Sequence, residues 1–265
     1  MDDAGTPTTV ARIRRLELVD PHFLAAASFV ECDSITNEVP CCLHTMTVND
    51  SIQRLLSCND DDDIDLLSPV MVLYDLDTSS ELPGSLRMTH ATCTDPPSGS
   101  CWRNEDLTCA PDPGEDTDVA TYSFQEEGTC LSPVEGATDW DGFNTPVGPC
   151  IVSDPAPLTV RIGLIGSGAT VLYDLPLQDA QMAAEVVMDD GGHLHLENGL
   201  MIGFLPESVA DGIPSAGGLT LSDHLPGSSC FCDLGFDGRD QEGCEMGWWF
   251  HFNFEADDTI TANGF

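Results

Sequence analysis

The residues best suited to hold an ion lie near the C-terminus, in DLGFDGRDQEGCE: Asp233, Asp237, Asp240, Glu242 and Glu245. Ca2+ takes several hard oxygen ligands, and glycines let a loop wrap around it. Cys232 and Cys244 flank this loop, and pinning its ends lowers the entropy lost on folding around an ion. The spacing predicts Ca2+ as a stabilising ion. A solvated acidic loop is the alternative in a chain this acidic. A second cluster, Asp60 to Asp63 with Asp65, fits an EF-hand loop only loosely, because it lacks the glycine at the sixth position and the closing glutamate. His193 and His195 form an H-x-H on an expected strand, so both imidazoles share a face with Glu197. Such a pair binds zinc or copper only with a third ligand, and otherwise forms an exposed polar face.

Two patterns belong to enzyme chemistry. VRIGLIGSGATV places Gly163, Gly166 and Gly168 in an apolar context, with Asp189 lying 21 residues past Gly168, as in a dinucleotide-binding turn. Against a nicotinamide-dependent dehydrogenase, Val171 stands where a small residue is needed. The segment that should be helix opens with β-formers and carries Pro176, at a cost of about 3 kcal/mol. A β-hairpin turning at Gly166-Ser167-Gly168 is the competing expectation. There is no G-x-S-x-G elbow, and Ser167 has no assignable partner. A carboxylate-based hydrolase needs only two placed acids, a requirement that 46 Asp and Glu residues cannot test. The sequence therefore assigns no catalytic residue.

The twelve cysteines, Cys32, Cys41, Cys42, Cys58, Cys93, Cys101, Cys109, Cys130, Cys150, Cys230, Cys232 and Cys244, form an even set without zinc-knuckle or C-x-x-C spacing. Disulfides in an oxidising compartment are the expectation. Proximity pairs Cys93 with Cys101 or Cys109, Cys130 with Cys150, one of Cys230 and Cys232 with Cys244, and Cys32 and Cys58 with Cys41 and Cys42. The chain of 265 residues has eight basic residues, all arginine, and a formal net charge of -38. Such a surface repels nucleic acid and anionic lipid. With 41% hydrophobic residues it still supports a core. No apolar run is long enough for a transmembrane helix, and MDDAGTPTTVARIRR has no signal-peptide h-region. The reading is an export signal already removed, residues 1–9 as a flexible linker, and residues 10–265 as one β-rich domain with a candidate sub-lobe boundary near 158.

Hydrophobic spacing supplies the elements that would position these groups. Strands are expected over 10–19, in the VMVLY core (70–74) of the segment 64–75, and over 85–92 and 119–125. A short helix is expected over 47–56, with Val48, Ile52, Leu55 and Leu56 on one face and Thr47 or Asn49 as cap. From Leu158 onward TVRIGLIG, TVLYDLPL, AAEVVM and HLHLENGLMIGFL read as successive strands, followed by short helices near Pro206 and Leu219. GWWFHFNFEA alternates, with Trp248, Phe250, Phe252 and Phe254 on a face that belongs in a core. The fold class is mainly β: an antiparallel β-sandwich with short helices and disulfide-tied loops.

LPLQDAQMAAEV, ENGLMIGFLPESVAD, LSDHLPG and GWWFHFNFEA together resemble a group of uncharacterised secreted bacterial β-rich proteins, over about the last hundred residues. The resemblance implies export and a β-rich domain and no particular activity. The function expected is a non-enzymatic structural or binding module, secreted, periplasmic or on the cell surface. Its partner would be extracellular or on a cell surface, and the sequence leaves its oligomeric state open.

Overall fold

The computed structural model describes residues 8–26, 32–34, 36–37, 47–56, 67–76, 83–94, 108–112, 118–135, 137, 142–165, 170–215, 218–226, 240–242, 245–258 and 261–262. In chain order the elements are β1 (Thr8–Asp20), β2 (Leu24–Ala26), β3 (Cys32–Ser34), α1 (Val48–Leu56), β4 (Pro69–Tyr74), β5 (Gly84–Thr94), β6 (Thr108–Pro111), β7 (Asp118–Gln125) and β8 (Cys150–Ser153). They continue with β9 (Ala156–Ile165), β10 (Thr170–Met188), β11 (Leu194–Pro206), α2 (Glu207–Ala210), a 3-10 turn (Ser222–His224), β12 (Asp240–Glu242), β13 (Glu245–Asp257) and β14 (Thr261–Ala262). The chain is mainly β, as its composition and periodicity predict.

Period-two burial along β13 shows how the strands are sided. Trp248, Phe250, Phe252 and Phe254 are all buried in one core with Leu16 and Leu18 of β1, Met71 and Leu73 of β4, and Met201 and Leu205 of β11. Antiparallel pairing runs β7-β5-β4-β1-β13-β11-β10-β8, and β8 pairs with β7 again. The pairings thus do not separate the two sheets of a sandwich; they join eight strands into a closed ring. Closure removes free edges. Apolar side chains fill the ring, and charged ones such as Arg14, Arg15, Glu17 and Glu255 stand outside it. That sidedness is opposite to the apolar-outside, polar-inside alternation of outer-membrane barrels. No helix among the described residues is long and apolar enough to cross a membrane.

The closing pair, β5 with β7, depends on one glycine. Gly84 and Tyr122 are register partners, and a Cβ on Gly84 would lie 2.4 Å from the Tyr122 ring. The ring lies across the bare backbone, and its hydroxyl donates to the Tyr74 carbonyl at 3.0 Å. Burial and the charge of Asp75 push the Tyr122 phenol up to about 12.

β4 pairs only with residues 8–12 of β1, and α1 takes over that edge. Asn49 accepts from the Leu18 N–H and donates to the Leu18 carbonyl, both at 2.8 Å, in the way a strand partner would. Gln53 donates to the Arg14 carbonyl, and Arg12 donates to the Leu56 carbonyl at the helix C-terminus. Thr47 caps the helix through the Asp50 N–H, and Val48, Ile52, Leu55 and Leu56 are buried as their spacing predicts. Gly163 on β9 leaves the space that Leu55 fills.

The expected turn at Gly166-Ser167-Gly168 lies outside the described residues, but the segments on either side of it pair as two strands. β10 runs antiparallel to β9 from Thr170 opposite Ile165, so strand stands where a dinucleotide-binding unit needs helix. TVLYDLPL and AAEVVM, expected as two strands, are one. The register shifts between Leu177 and Ala180, where Asp179 has φ 47°, and the strand passes from the β9 hairpin into the ring. Asp189 closes the β10–β11 turn by accepting from the Gly191 and His193 N–H groups, which is turn chemistry and no ribose contact.

Two of the expected disulfides are present. Cys93–Cys109 joins register partners on β5 and β6, and Cys130–Cys150 ties the loop before β8 to its base. Cys32 lies on β3; Cys41, Cys42, Cys58, Cys101, Cys230, Cys232 and Cys244 lie outside the described residues, as do Asp60 to Asp63, Asp65 and Ser167.

Candidate functional site: a polar cleft beside β13

β13 has a neighbour on each side, and both neighbours bulge at the same level. On β1, Ile13 pairs with Ala256 and Arg15 with Glu255, so Arg14 is an extra residue. A bulge of this kind turns both of its residues toward one side of the strand. Arg14 and Arg15 both reach Glu255, at 3.0 and 3.4 Å; Arg14 also binds Asp257 at 3.1 Å, and Arg15 binds Glu17 at 3.1 Å. On β11, Leu196 pairs with Ala256 and Gly199 with Phe254, so Glu197 and Asn198 together stand opposite the single residue Glu255, one residue in excess. Asn198 takes φ 48°, a left-handed conformation that asparagine tolerates, and Gly199 allows the Phe254 ring and carbonyl within 2.7 Å of where a Cβ would stand. The sequence Glu-Asn-Gly therefore encodes the β11 bulge. The two bulges open the outer face over Asn253 and Glu255, leaving a cleft of about 490 Å3.

A strap forms one wall. Residues 129–135, 137 and 142–147 cross the outer face of β11 and β13 from the Cys130–Cys150 disulfide. Leu131 packs on Ala183, Leu200 and Ile202, which explains why β11 is apolar on both faces along LMIGFL. Polar side chains of the ring hold the strap backbone. The Asn144 N–H donates to Asn253 Oδ1 at 2.8 Å, and Asn253 Nδ2 donates to the Gly142 carbonyl at 2.9 Å. Asn144 Nδ2 donates to the Gly199 carbonyl, and Asn198 Nδ2 donates to the Thr145 carbonyl and to Glu185. The Val134 N–H donates to His251 Nε2 at 3.2 Å, and the Phe143 ring lies 4.9 Å from the imidazole. His251 is fully buried, and burial lowers its pKa to about 4, so it stands neutral with Nδ1–H directed to the Trp249 carbonyl.

Past Asp257 the outer face ends in a His–Asp cluster. His195 Nδ1 donates to Asp257 at 2.6 Å, and that carboxylate raises the imidazole pKa. Asp189 lies 3.6 Å from His195 Nε2, and its own pKa is lowered, first by the His193 N–H. His193 faces Asp258 at 3.4 Å. The H-x-H is thus an outer polar face whose histidines pair with separate aspartates, and Glu197 continues it into the cleft. No group of three or more metal-ligating side chains gathers among the described residues.

Of the expected calcium residues, Asp233 and Asp237 lie outside the described residues. Asp240 and Glu242 are on β12, and Glu245 opens β13 as the register partner of Glu242. Glu245 is not among the residues that line the cleft. Sequence reading missed the cleft because its key residues come from β1, β11, β13 and the strap. The available signals were Arg14-Arg15 inside an otherwise alternating strand and Glu-Asn-Gly inside another. No protein-family model, curated protein or solved structure matches the chain.

Proposed function

We propose that this is an exported, disulfide-stabilised binding module whose outer cleft takes a neutral, hydroxyl-rich ligand such as an extracellular or cell-surface glycan. The observation that carries the reading is the paired bulge around Glu255. It lines an open site with two arginines, three glutamates and three asparagines. Arg14 and Arg15 are each held by carboxylates, so the cleft presents no unpaired cation to an anionic ligand. Fixed amides and carboxylates offer donors and acceptors side by side, which suits hydroxyl groups. The void beside Leu86, Met88, Leu158 and Met182 is far smaller, about 10 Å3, roughly one water-sized sphere. The two disulfides seen among the described residues support export.

A glycan array probed with the full chain and with Glu197→Ala tests this. Selective binding that the variant loses supports it; no binding, or equal binding by both proteins, overturns it. Release of reducing ends from a bound glycan would replace it with the carboxylate-based hydrolase.

Ca2+ belongs to the same reading as an ion held by Asp233, Asp237, Asp240, Glu242 and Glu245. Its support is the number of carboxylates in this glycine-containing segment, with the backbone register setting Glu242 opposite Glu245. At ten times its dissociation constant the ion would add about 1.4 kcal/mol. A melting temperature unchanged between calcium and chelator sinks this part of the reading alone.

A further inference from the structure

After α2 the chain reverses on itself, with Pro214 bridged to Thr220 and the Ser215 N–H donating to the Leu219 carbonyl at 2.8 Å. The 3-10 turn that follows is fixed by its own side chains. Asp223 accepts from the Thr220 N–H at 2.8 Å, and Ser222 donates to Asp211 at 2.5 Å. This frame brings His224 Nε2 to 2.8 Å from Ser215 Oγ. Two further groups arrive from distant parts of the chain. The Leu24 carbonyl of β2 lies 3.3 Å from His224 Nδ1, and the Tyr173 hydroxyl of β10 lies 2.9 Å from Ser215 Oγ.

The donor directions follow from one fixed point. A carbonyl oxygen only accepts, so His224 Nδ1 carries the hydrogen and Nε2 presents its lone pair. Ser215 Oγ–H then donates to Nε2, and the Tyr173 hydroxyl donates to Oγ. A hydroxyl bonded to an imidazole whose other nitrogen is held by a third group is the arrangement of an activated nucleophile. The main-chain carbonyl of Leu24 occupies the place that a carboxylate takes in a serine triad. Ser215 and His224 are half-buried, and Tyr173 is buried, so the hydroxyl and its base lie near the surface above a fixed phenol.

The geometry points to Ser215 as a nucleophile that takes acyl groups from uncharged carboxylic esters, with His224 as its general base. Ser215 Oγ forms a bond to the ester carbonyl carbon as its proton passes to His224 Nε2. The Tyr173 hydroxyl, already within reach of Oγ, donates to the oxyanion. Collapse breaks the bond to the alcohol oxygen, which leaves with the proton from His224. Water, activated by the same imidazole, then releases the acid and restores the serine. Asp211 and Asp223 border the site and disfavour anionic acyl groups. A neutral carbonyl stabilises the imidazolium less than a carboxylate does, so turnover is expected to be slow. The site uses none of the cleft residues and adds an activity to the binding role.

The test is a fluorophosphonate probe incubated with the intact, oxidised protein, with peptide mass spectrometry to place the label. The expected result is a label on Ser215, absent from Ser215→Ala. His224→Gln should slow labelling by about a hundredfold or more, and Tyr173→Phe should lower hydrolysis of p-nitrophenyl acetate without abolishing labelling. Should His224→Gln fail to fold, Tyr173→Phe decides, because it keeps the serine and its base and must still lower hydrolysis. No label on Ser215 in the folded protein, labelling unaffected by His224→Gln, or hydrolysis unchanged in Tyr173→Phe overturns the assignment.

Discussion

Acidification should release the strap through His251, and the size of the effect follows from its surroundings. The imidazole is fully buried, its Nε2 accepts the Val134 N–H, and burial lowers its pKa to about 4. An unfolded histidine titrates near 6.5. Between those values the unfolded chain binds the proton and the folded chain does not, so stability falls as pH falls. The neutral histidine's contribution is complete above about 6.5, is lost through the window from 6.5 to 4, and changes no further below it. At about 1.4 kcal/mol per unit the loss is about 2 kcal/mol by pH 5 and about 3 kcal/mol by pH 4. Asp20, 4.0 Å from Nδ1, is the nearest carboxylate and offsets part of the cost once the ring is charged. The chain has 46 carboxylates with their own acid responses, so the informative quantity is a difference. Urea unfolding of the wild-type protein and of His251→Gln, compared at pH 7 and pH 5, subtracts what they share. The wild type should lose about 2 kcal/mol more than the variant. A difference constant to within about 0.5 kcal/mol, the usual error of additivity, would refute the buried neutral histidine as the strap's anchor. Because the strap supplies Gly142 and Asn144 to the cleft wall, ligand affinity should weaken over the same window.

Three further outcomes are expected. Gly84→Val places side-chain carbon inside the Tyr122 ring's space and should cost about 1–3 kcal/mol, with the Tyr122 phenol titrating nearer its ordinary value by ultraviolet absorbance. Asn49→Ala strips both hydrogen bonds from the Leu18 backbone and should cost about 1–3 kcal/mol, read as a lower denaturation midpoint with an unchanged slope. Replacing Cys130 and Cys150 together by alanine opens a loop with a sequence separation of 20 and should cost about 3 kcal/mol; hydrogen exchange should rise first in the strap, and unaltered protection there would show that the side-chain clasps suffice without the disulfide.

Much of the architecture is legible in the sequence because it rests on local periodicity. The alternation in GWWFHFNFEA places four aromatics inside, and the spacing of Val48, Ile52, Leu55 and Leu56 gives the buried face of α1. Cysteine proximity gives Cys130–Cys150 and one of two options for Cys93. What local pattern cannot give is which strands meet. Gly84 and Tyr122 are 38 positions apart, and nothing in either neighbourhood signals that one ring covers the other and closes the barrel. The glycine motif shows the converse case. Its spacing matches a nucleotide-binding turn, yet the β-branched and proline-containing segment after it pairs back on β9, so propensity over ten residues outweighs three glycines.

The polar sites escaped sequence reading for a different reason. Ser215, His224, Tyr173 and Leu24 converge from four places, and a serine nine residues before a histidine carries no periodic signal. The strap is similar: Asn253 and His251 stand on the outer side of β13, where alternation predicts solvent, yet both are buried because the loop is laid over them. A buried amide or imidazole without a partner would cost about 1–3 kcal/mol, so each of these side chains both requires the strap and fixes its course. The cleft exists because the strap covers β13 only as far as Asn253, through Gly142 and Asn144, while the bulges at Arg14 and Glu197 open the face beyond it. Lengthening the strap would bury Arg15 and Glu197 and close the site, whereas removing either bulge would restore flat pairing beneath it. Deleting Arg14 alone makes that distinction measurable: β1 would pair with β13 without its extra residue, the core register from Leu16 onward would be kept, and ligand binding would be lost with little change in stability. Loss of folding together with binding would show that the β1 bulge serves the ring rather than the site.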